Sequence, residues 1–294
     1  MSEMTKDIEQ YLQTKFGNSI GESNERQLYQ ALMAETRNRL LKKRYDYTKK
    51  LKESGQKQAY YMSMEFLVGR TLRNNLFNLG LEEEIRSFLA EKNFDLDKIY
   101  DMEPDPGLGN GGLGRLASCY LDALTSNDYP VTGFSILYEF GIFKQVIANG
   151  WQQEYPDNWL GMGQYGLVHR SDEEIEVKFY GKTQEHWTKD GLKVTYEDYT
   201  SIIAEPYDLM ISGYKSEAVN VLRLWKSKAD AGFDMKLFER GEYAKSSESE
   251  AIAESISKLL YPADDTNEGK ALRIKQQYFF TSASLQQIVK NHYK

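Results

Sequence analysis

Five of the eight residues from Gly107 to Gly114 are glycine, in the run Gly107-Leu-Gly-Asn-Gly-Gly-Leu-Gly-Arg-Leu-Ala117. No other stretch constrains the fold as strongly, because a chain so short of side chains can turn sharply and lie against another backbone. Leu113, Leu116, Ala117, Tyr120, Leu121 and Leu124 then recur at helical spacing, which predicts a helix. A glycine loop feeding a helix start leaves N–H groups free and adds a partial positive charge of about +0.5, so it favours an anion. Arg115 puts a cation in the first turn, where the dipole disfavours one. Either an acid, Glu103 or Asp105, or a bound anion must offset it.

Two nucleotide motifs come close to this run and fail. Gly107, Gly109 and Gly112 fit G-x-G-x-x-G, as do Gly109, Gly111 and Gly114, but that motif needs a strand directly before it. Pro104 and Pro106 oppose a central strand there. A P-loop would need Lys followed by Ser or Thr where Arg115-Leu116 stands. Pattern alone leaves two readings level: an anion cradle, or a tight turn whose glycines let a helix pack closely.

The formal net charge of −7 argues against nucleic acid or an anionic membrane as the main partner. The single cysteine, Cys119, cannot form an internal disulfide and falls in the apolar helix pattern, so it is expected as a small buried residue. No long uncharged apolar run is present, and the expected location is cytoplasmic. His169, His186 and His292 are isolated, without metal-ligand spacing, and no metal site is expected.

In chain order, residues 5–16 read as an amphipathic helix stopped by Gly17. A longer helix runs from Glu25 to about Tyr47 and places Lys42-Lys43-Arg44 near its end, where cations suit the dipole. Residues 58–66 read as an aromatic strand ending in Glu65, whose bland role is to pair with Arg70. Helices follow over 71–79 and 81–92, and Asp95 caps a third. Residues 129–140 and 143–147 read as a hairpin around Gly141, and strands return at 174–180, 192–195, 201–204 and 219–225. Trp151, Tyr155 and Trp159 could stack on sugar rings, but a packed loop explains them better. The segment 243–260 begins serine-rich and becomes amphipathic. Asp264 and Asp265 read as a turn and an N-cap before a last helix over 268–292. The expected class is α/β, a mixed sheet flanked by helices.

Several long stretches resemble the glycogen, starch and maltodextrin phosphorylase family: GLGNGGLGRLASCYLDAL, YEFGIFKQ, GWQQEYPDNWL, Tyr61-Met-Ser-Met-Glu65-Phe-Leu-Val-Gly-Arg70, and Leu260-Tyr-Pro-Ala-Asp-Asp-Thr-Asn-Glu-Gly-Lys270 followed by LRIKQQYFF. The likeness runs from about Tyr60 to Lys294 and more loosely through the first helices. It implies an α-glucan phosphorylase, which releases terminal α-1,4-glucosyl units as glucose 1-phosphate using pyridoxal 5'-phosphate. Residues 1–294 would be part of the N-terminal domain of a two-domain, GT-B-like enzyme. The rest of that domain, and the cofactor's lysine, would lie beyond Lys294, so this portion alone is expected to be inactive.

By the same resemblance, the N–H groups of Gly111 and Gly112 would hold the substrate phosphate and Leu113 would line the glucose pocket. Glu65 would form part of the wall, and Asp264 and Asp265 would belong to a gating loop that contacts the sugar. The family commonly has Asn at the second of those two positions, so Asp265 is a departure. The helix near 246–260 would meet its counterpart in a homodimer. AMP-activated relatives carry two arginines where only Lys290 is cationic here, so no AMP activation is expected. The competing expectation is a non-catalytic module that binds sugar or phosphate and dimerises.

Overall fold

A computed structural model describes residues 2–163 and 166–293; Lys294, where the resemblance ends, lies outside them. The helices are Glu3–Phe16 (α1), Glu25–Ser54 (α2), Leu72–Asn78 (α3), Glu82–Glu91 (α4), Leu96–Tyr100 (α5), Gly112–Ser126 (α6), Met235–Glu239 (α7), Tyr243–Ser246 (α8), Glu248–Glu254 (α9) and Asn267–His292 (α10). The strands are Ala59–Met62 (β1), Val131–Ile136 (β2), Lys144–Ala148 (β3), Trp151–Tyr155 (β4), Leu167–His169 (β5), Ile175–Thr188 (β6), Gly191–Ser212 (β7) and Val219–Ala229 (β8). One mixed sheet has the order β1-β2-β8-β7-β5, with β6 also on β7. The expected α/β class holds. The chain divides into two compact units, one made of residues up to Ser135, Glu139–Val168 and Asp208–Arg223, the other of Ile136–Tyr138, His169–Tyr207 and residues from Leu224 on.

In the first unit, local capping chemistry sets the helix ends. Ser2 caps α1 by accepting from the Thr5 N–H, and Gly17 closes it in the left-handed region at φ 71°. Asn24 and Gln27 form a capping box on α2. That helix runs past the expected Tyr47 to Ser54, because nothing breaks it before Gly55 takes φ 63°. The basic cluster therefore lies within the helix. Lys43 donates to the Ser216 carbonyl at 2.7 Å and Arg44 to the Val219 carbonyl at 2.8 Å. Ile8 and Leu12 of α1 pack with Leu28 and Leu32 of α2, and with Ile85, Leu89, Leu96 and Ile99 beneath them. Asp95 caps α5 as expected.

β1 stops at Met62 because the Ser63 hydroxyl bonds back to Glu65, accepting from its N–H and donating to its carbonyl. β2 is no hairpin arm. It pairs in parallel with β1, Ala59 opposite Val131 through Met62 opposite Phe134. The hairpin is instead β3 with β4, closed by Asn149-Gly150 at φ 53° and 80°, the two positive values a tight hairpin turn needs.

In the second unit, β6 and β7 form a long antiparallel ribbon from Ile175 opposite Ala204 to Thr188 opposite Gly191. The separate strands expected at 192–195 and 201–204 are one. α10 lies along β6: Tyr278 donates to the Lys178 carbonyl at 2.9 Å and Gln286 to that of Glu176 at 3.0 Å. The segment 243–260 is not one projecting helix. It breaks into α8, α9 and a 3-10 turn at Ser255–Ser257, with Ala253, Ile256 and Leu260 buried and Ile252 exposed.

Candidate functional site

Each glycine of the run at the head of α6 has a separate physical reason to be there. A Cβ on Gly107 would fall 2.6 Å from the Gly141 Cα, one on Gly109 2.6 Å from the Leu67 nitrogen, and one on Gly114 2.7 Å from a Glu65 carboxylate oxygen. Gly111 and Gly112 take φ of 132° and 41°, a region L side chains rarely adopt. Three glycines serve close approach, and two serve the backbone angle.

The segment Glu65–Leu67 is the surface the run lies against. Phe66 donates its N–H to the Leu108 carbonyl at 2.8 Å, Asn110 donates to the Glu65 carboxylate at 2.8 Å, and Leu67 donates to the Gly114 carbonyl at 3.0 Å. Bonds on both flanks fix the loop between them. Its chain reverses at Gly111, whose carbonyl accepts from Gly114 at 2.8 Å and from Arg115 at 3.2 Å. The N–H groups of Gly111, Gly112 and Leu113 have no acceptor among the described residues. They stand at the positive end of a 15-residue helix, where Gly112 and Leu113 are exposed and Gly111 half-buried.

Arg115 stands beside them, and no described carboxylate pairs with it. Its guanidinium donates to the Leu67 carbonyl at 3.2 Å, and neither expected acid pairs with it. Glu103 is buried at the start of α3, accepting from the N–H groups of Thr71 and Leu72 at 2.7 and 3.0 Å and from the Thr71 hydroxyl at 3.0 Å. Burial pushes its carboxyl above the usual carboxylate range, and those bonds oppose the shift. An open cleft of about 490 Å³ adjoins the loop, lined by Leu67, Asn110, Arg115, Phe143, Asp105 and Asp157 among others. The Asp157 carboxyl is pushed up chiefly by burial; Lys144 opposes this and Asp105 adds to it.

The structure brings Glu65, Gly111, Gly112 and Leu113 together. Glu65 does not pair with Arg70, which binds Asp101 at 3.0 Å; it lies buried behind the loop. Leu113 is 74% exposed at the loop's mouth. Asp264 and Asp265 belong to the second unit, and neither is the N-cap of α10. Thr266 takes that place by accepting from the Gly269 N–H at 3.1 Å, while Asp264 pairs with Arg273.

The helix expected after the glycines is present, and two expectations about side chains fail here. α6 buries Gly114, Ala117, Ser118, Leu121 and Thr125 and leaves Leu113, Leu116 and Tyr120 exposed. Its small residues let it approach Glu65–Leu67 closely, so the packed face is rotated from the leucine stripe. Cys119 is exposed, on the flank that rotation turns outward. Trp159 is buried and would touch a Cβ on Gly107, whereas Trp151 and Tyr155 are exposed on β4, so the packed-loop reading holds for Trp159 alone. Trp159's part in walling the loop had no sequence signal beyond its apolar character.

A family model described as carbohydrate phosphorylase matches residues 89–294. The chain is 44% identical to a glycogen phosphorylase of Chlamydia pneumoniae over 239 residues, covering 81% of the chain and 29% of that protein. It is 40% identical to a glycogen phosphorylase of Synechocystis over 283 residues, covering 96% of the chain and 33% of the relative. Against the human brain form of glycogen phosphorylase the identity is 44% over 238 residues, 81% of the chain and 28% of the relative. The chain thus spans about a third of the length of the relatives it matches. Among the described residues no helix is long and apolar enough to cross a membrane.

Proposed function

Because this chain belongs to the carbohydrate phosphorylase family, we propose that it supplies the phosphate-holding wall of an α-glucan phosphorylase. In that reaction a phosphate oxygen takes C1 of the terminal glucosyl unit and the C1–O4 bond breaks. The phosphate's proton goes to the departing O4, giving glucose 1-phosphate and a shortened α-1,4-glucan. One observation carries the reading: among the described residues, the N–H groups of Gly111, Gly112 and Leu113 have no acceptor and the adjoining Arg115 has no acid partner. Such an array holds a dianion by charge-assisted hydrogen bonds and helix dipole, already oriented before the charge shifts. No protein nucleophile is required of this chain.

The reading extends to neighbouring groups. Leu113, exposed at the mouth of the loop, would meet the glucosyl ring, and Glu65 would hold the loop from behind through the Asn110 N–H. Asp264 and Asp265 would contact the sugar from their own loop. The family's pyridoxal phosphate does not fit the residues present, since none of the described lysines is buried as a Schiff-base lysine must be. In this proposal the cofactor belongs to other parts of a two-domain, GT-B-like polypeptide. Homodimerisation through 246–260 and a cytoplasmic setting complete it; Ile252 is the exposed apolar residue that such an interface would use.

Titration of inorganic phosphate into the chain by calorimetry tests the central point. Arg115→Met removes the cation without touching the glycine geometry, and loss of one charge-assisted bond weakens binding about tenfold to a hundredfold. Phosphate affinity unchanged in Arg115→Met, or absent from the wild type, would count against the cradle. Glucose 1-phosphate release from maltooligosaccharide by this chain alone, supplied with pyridoxal phosphate, would refute the assignment of the cofactor elsewhere.

A further inference from the structure

His169 is not isolated in the fold. His169 Nε2 lies 2.9 Å from Glu205 Oε1, and one ligand atom from each of His169, Glu174 and Glu205 lies within 4.8 Å of the others. Strand register brings the three together. His169 ends β5, which is hydrogen-bonded to β7, and the adjoining Arg170 N–H donates to the Pro206 carbonyl at 2.9 Å. Ile175 pairs with Ala204, so the antiparallel register continued by one step sets Glu174 opposite Glu205. Like charges directly opposed across a ladder are destabilising. Glu205 makes this worse, since its side chain is 12% exposed and has little water to screen it. The arrangement calls for a cation between two carboxylates.

The supporting shell is already in place. Tyr207 donates its hydroxyl to Glu205 at 3.2 Å, and its ring stacks on the His169 imidazole at 4.6 Å and 12°. Among the described residues, Lys228 pairs with Glu174, its Nζ 3.5 Å away. That pair is half-exposed, and such pairs contribute little.

We propose that His169, Glu174 and Glu205 bind one divalent cation of the zinc type, with water in the remaining position. One imidazole nitrogen and two carboxylate oxygens suit zinc; a hard cation such as magnesium would take oxygens alone. Ligand atoms about 2.0–2.2 Å from a tetrahedral zinc stand roughly 3.3–3.6 Å apart, so small rotamer changes close the trio on the ion. His169 is 43% exposed on its side chain, which leaves the ion an open entry path. The bound cation clamps β5, β6 and β7 together; no chemical step is assigned to it.

Calorimetric titration of zinc chloride into the whole chain tests the site, with thermal unfolding alongside. One zinc ion binds per chain and raises the midpoint of unfolding. Affinity falls at least tenfold in His169→Ala and Glu174→Gln, and about tenfold in Tyr207→Phe, which removes only the outer hydrogen bond. Without zinc, Glu174→Gln unfolds no earlier than the wild type, because it relieves a repulsion, yet it gains nothing from zinc. Magnesium chloride gives no comparable binding. The proposal is overturned if the wild type takes up no zinc, if His169→Ala binds it as tightly, or if His186→Ala is the variant that loses it.

Discussion

Replacing Gly109 by alanine is the sharpest available test of the glycine loop's packing. The added Cβ would stand 2.6 Å from the Leu67 nitrogen and 2.9 Å from its Cα and Cβ. The first and closest of these atoms is backbone, so no side-chain rotation relieves the clash. Moving Leu67 away strains the bonds on both sides of it, from Leu67 to Gly114 at 3.0 Å and from Phe66 to Leu108 at 2.8 Å. Overpacking costs about 1–3 kcal/mol, and a weakened hydrogen bond adds about 1 kcal/mol, so the expected loss is about 3 kcal/mol. Gly21→Ala is the control: it meets nothing within 4 Å and needs no positive φ, so it is neutral or stabilises by about 0.4–1 kcal/mol through the unfolded chain. Urea unfolding followed by circular dichroism and tryptophan fluorescence measures both. If the two variants differ by less than about 1 kcal/mol, the close approach of the two backbones is not what holds the loop.

Other perturbations read different parts of the same account. Asp208 and Arg223 form a buried bidentate pair with both bonds at 2.8 Å; Asp208→Asn removes the carboxylate and should cost about 3–5 kcal/mol in urea unfolding. A loss below about 1 kcal/mol would show that the pair is open to solvent. The Glu103 carboxyl is raised in the folded state, so its contribution is fully present below its ordinary value of 4.5 and is lost as pH rises through the folded value. The stability of the wild type over Glu103→Gln should therefore be greater at pH 4 than at pH 7, and the reverse order would contradict the burial argument. Cys119 should react with a thiol reagent in the native protein to one equivalent; labelling that needs denaturant would restore the buried reading.

Helices were the more legible part of the fold because their stops are local. Gly17 and Asp95 each announce a helix end by their own backbone or side-chain chemistry, and each was placed correctly. α2 outran its expected end because Lys42-Lys43-Arg44 resembles a last turn, whereas the residue that ends a helix is the one able to adopt the left-handed region, here Gly55. Strand pairing is set by partners distant in sequence. Nothing in Val131–Ile136 says that its neighbour is Ala59–Met62 and not the next strand along. The strongest local hairpin signal is Asn149-Gly150; Gly141 is glycine for another reason, since a Cβ there would fall on an Asp157 carboxylate oxygen.

The site shows the same division between local and distant causes. The run Gly107–Gly114 could be recognised as a loop feeding a helix, and its free N–H groups follow from the helix start alone. The two readings of those glycines, anion cradle and close packing, stood level because each describes a different subset of them. Gly107, Gly109 and Gly114 answer to neighbours contributed by Gly141, Leu67 and Glu65, which no local pattern reveals; Gly111 and Gly112 answer to backbone angle. The same close packing decided which face of α6 is buried, overriding the leucine spacing, because a helix that must approach within contact of Glu65 can do so only through its smallest side chains. It follows that the two subsets should separate under mutation. Alanine at Gly109 should lower stability through a backbone clash. Alanine at Gly111, where a Cβ meets nothing within 4 Å, should act through the turn that aims the N–H groups, reducing phosphate affinity more than stability. Equal effects of both variants on both measurements would mean that the loop works as one unit, and that packing and cradle cannot be told apart.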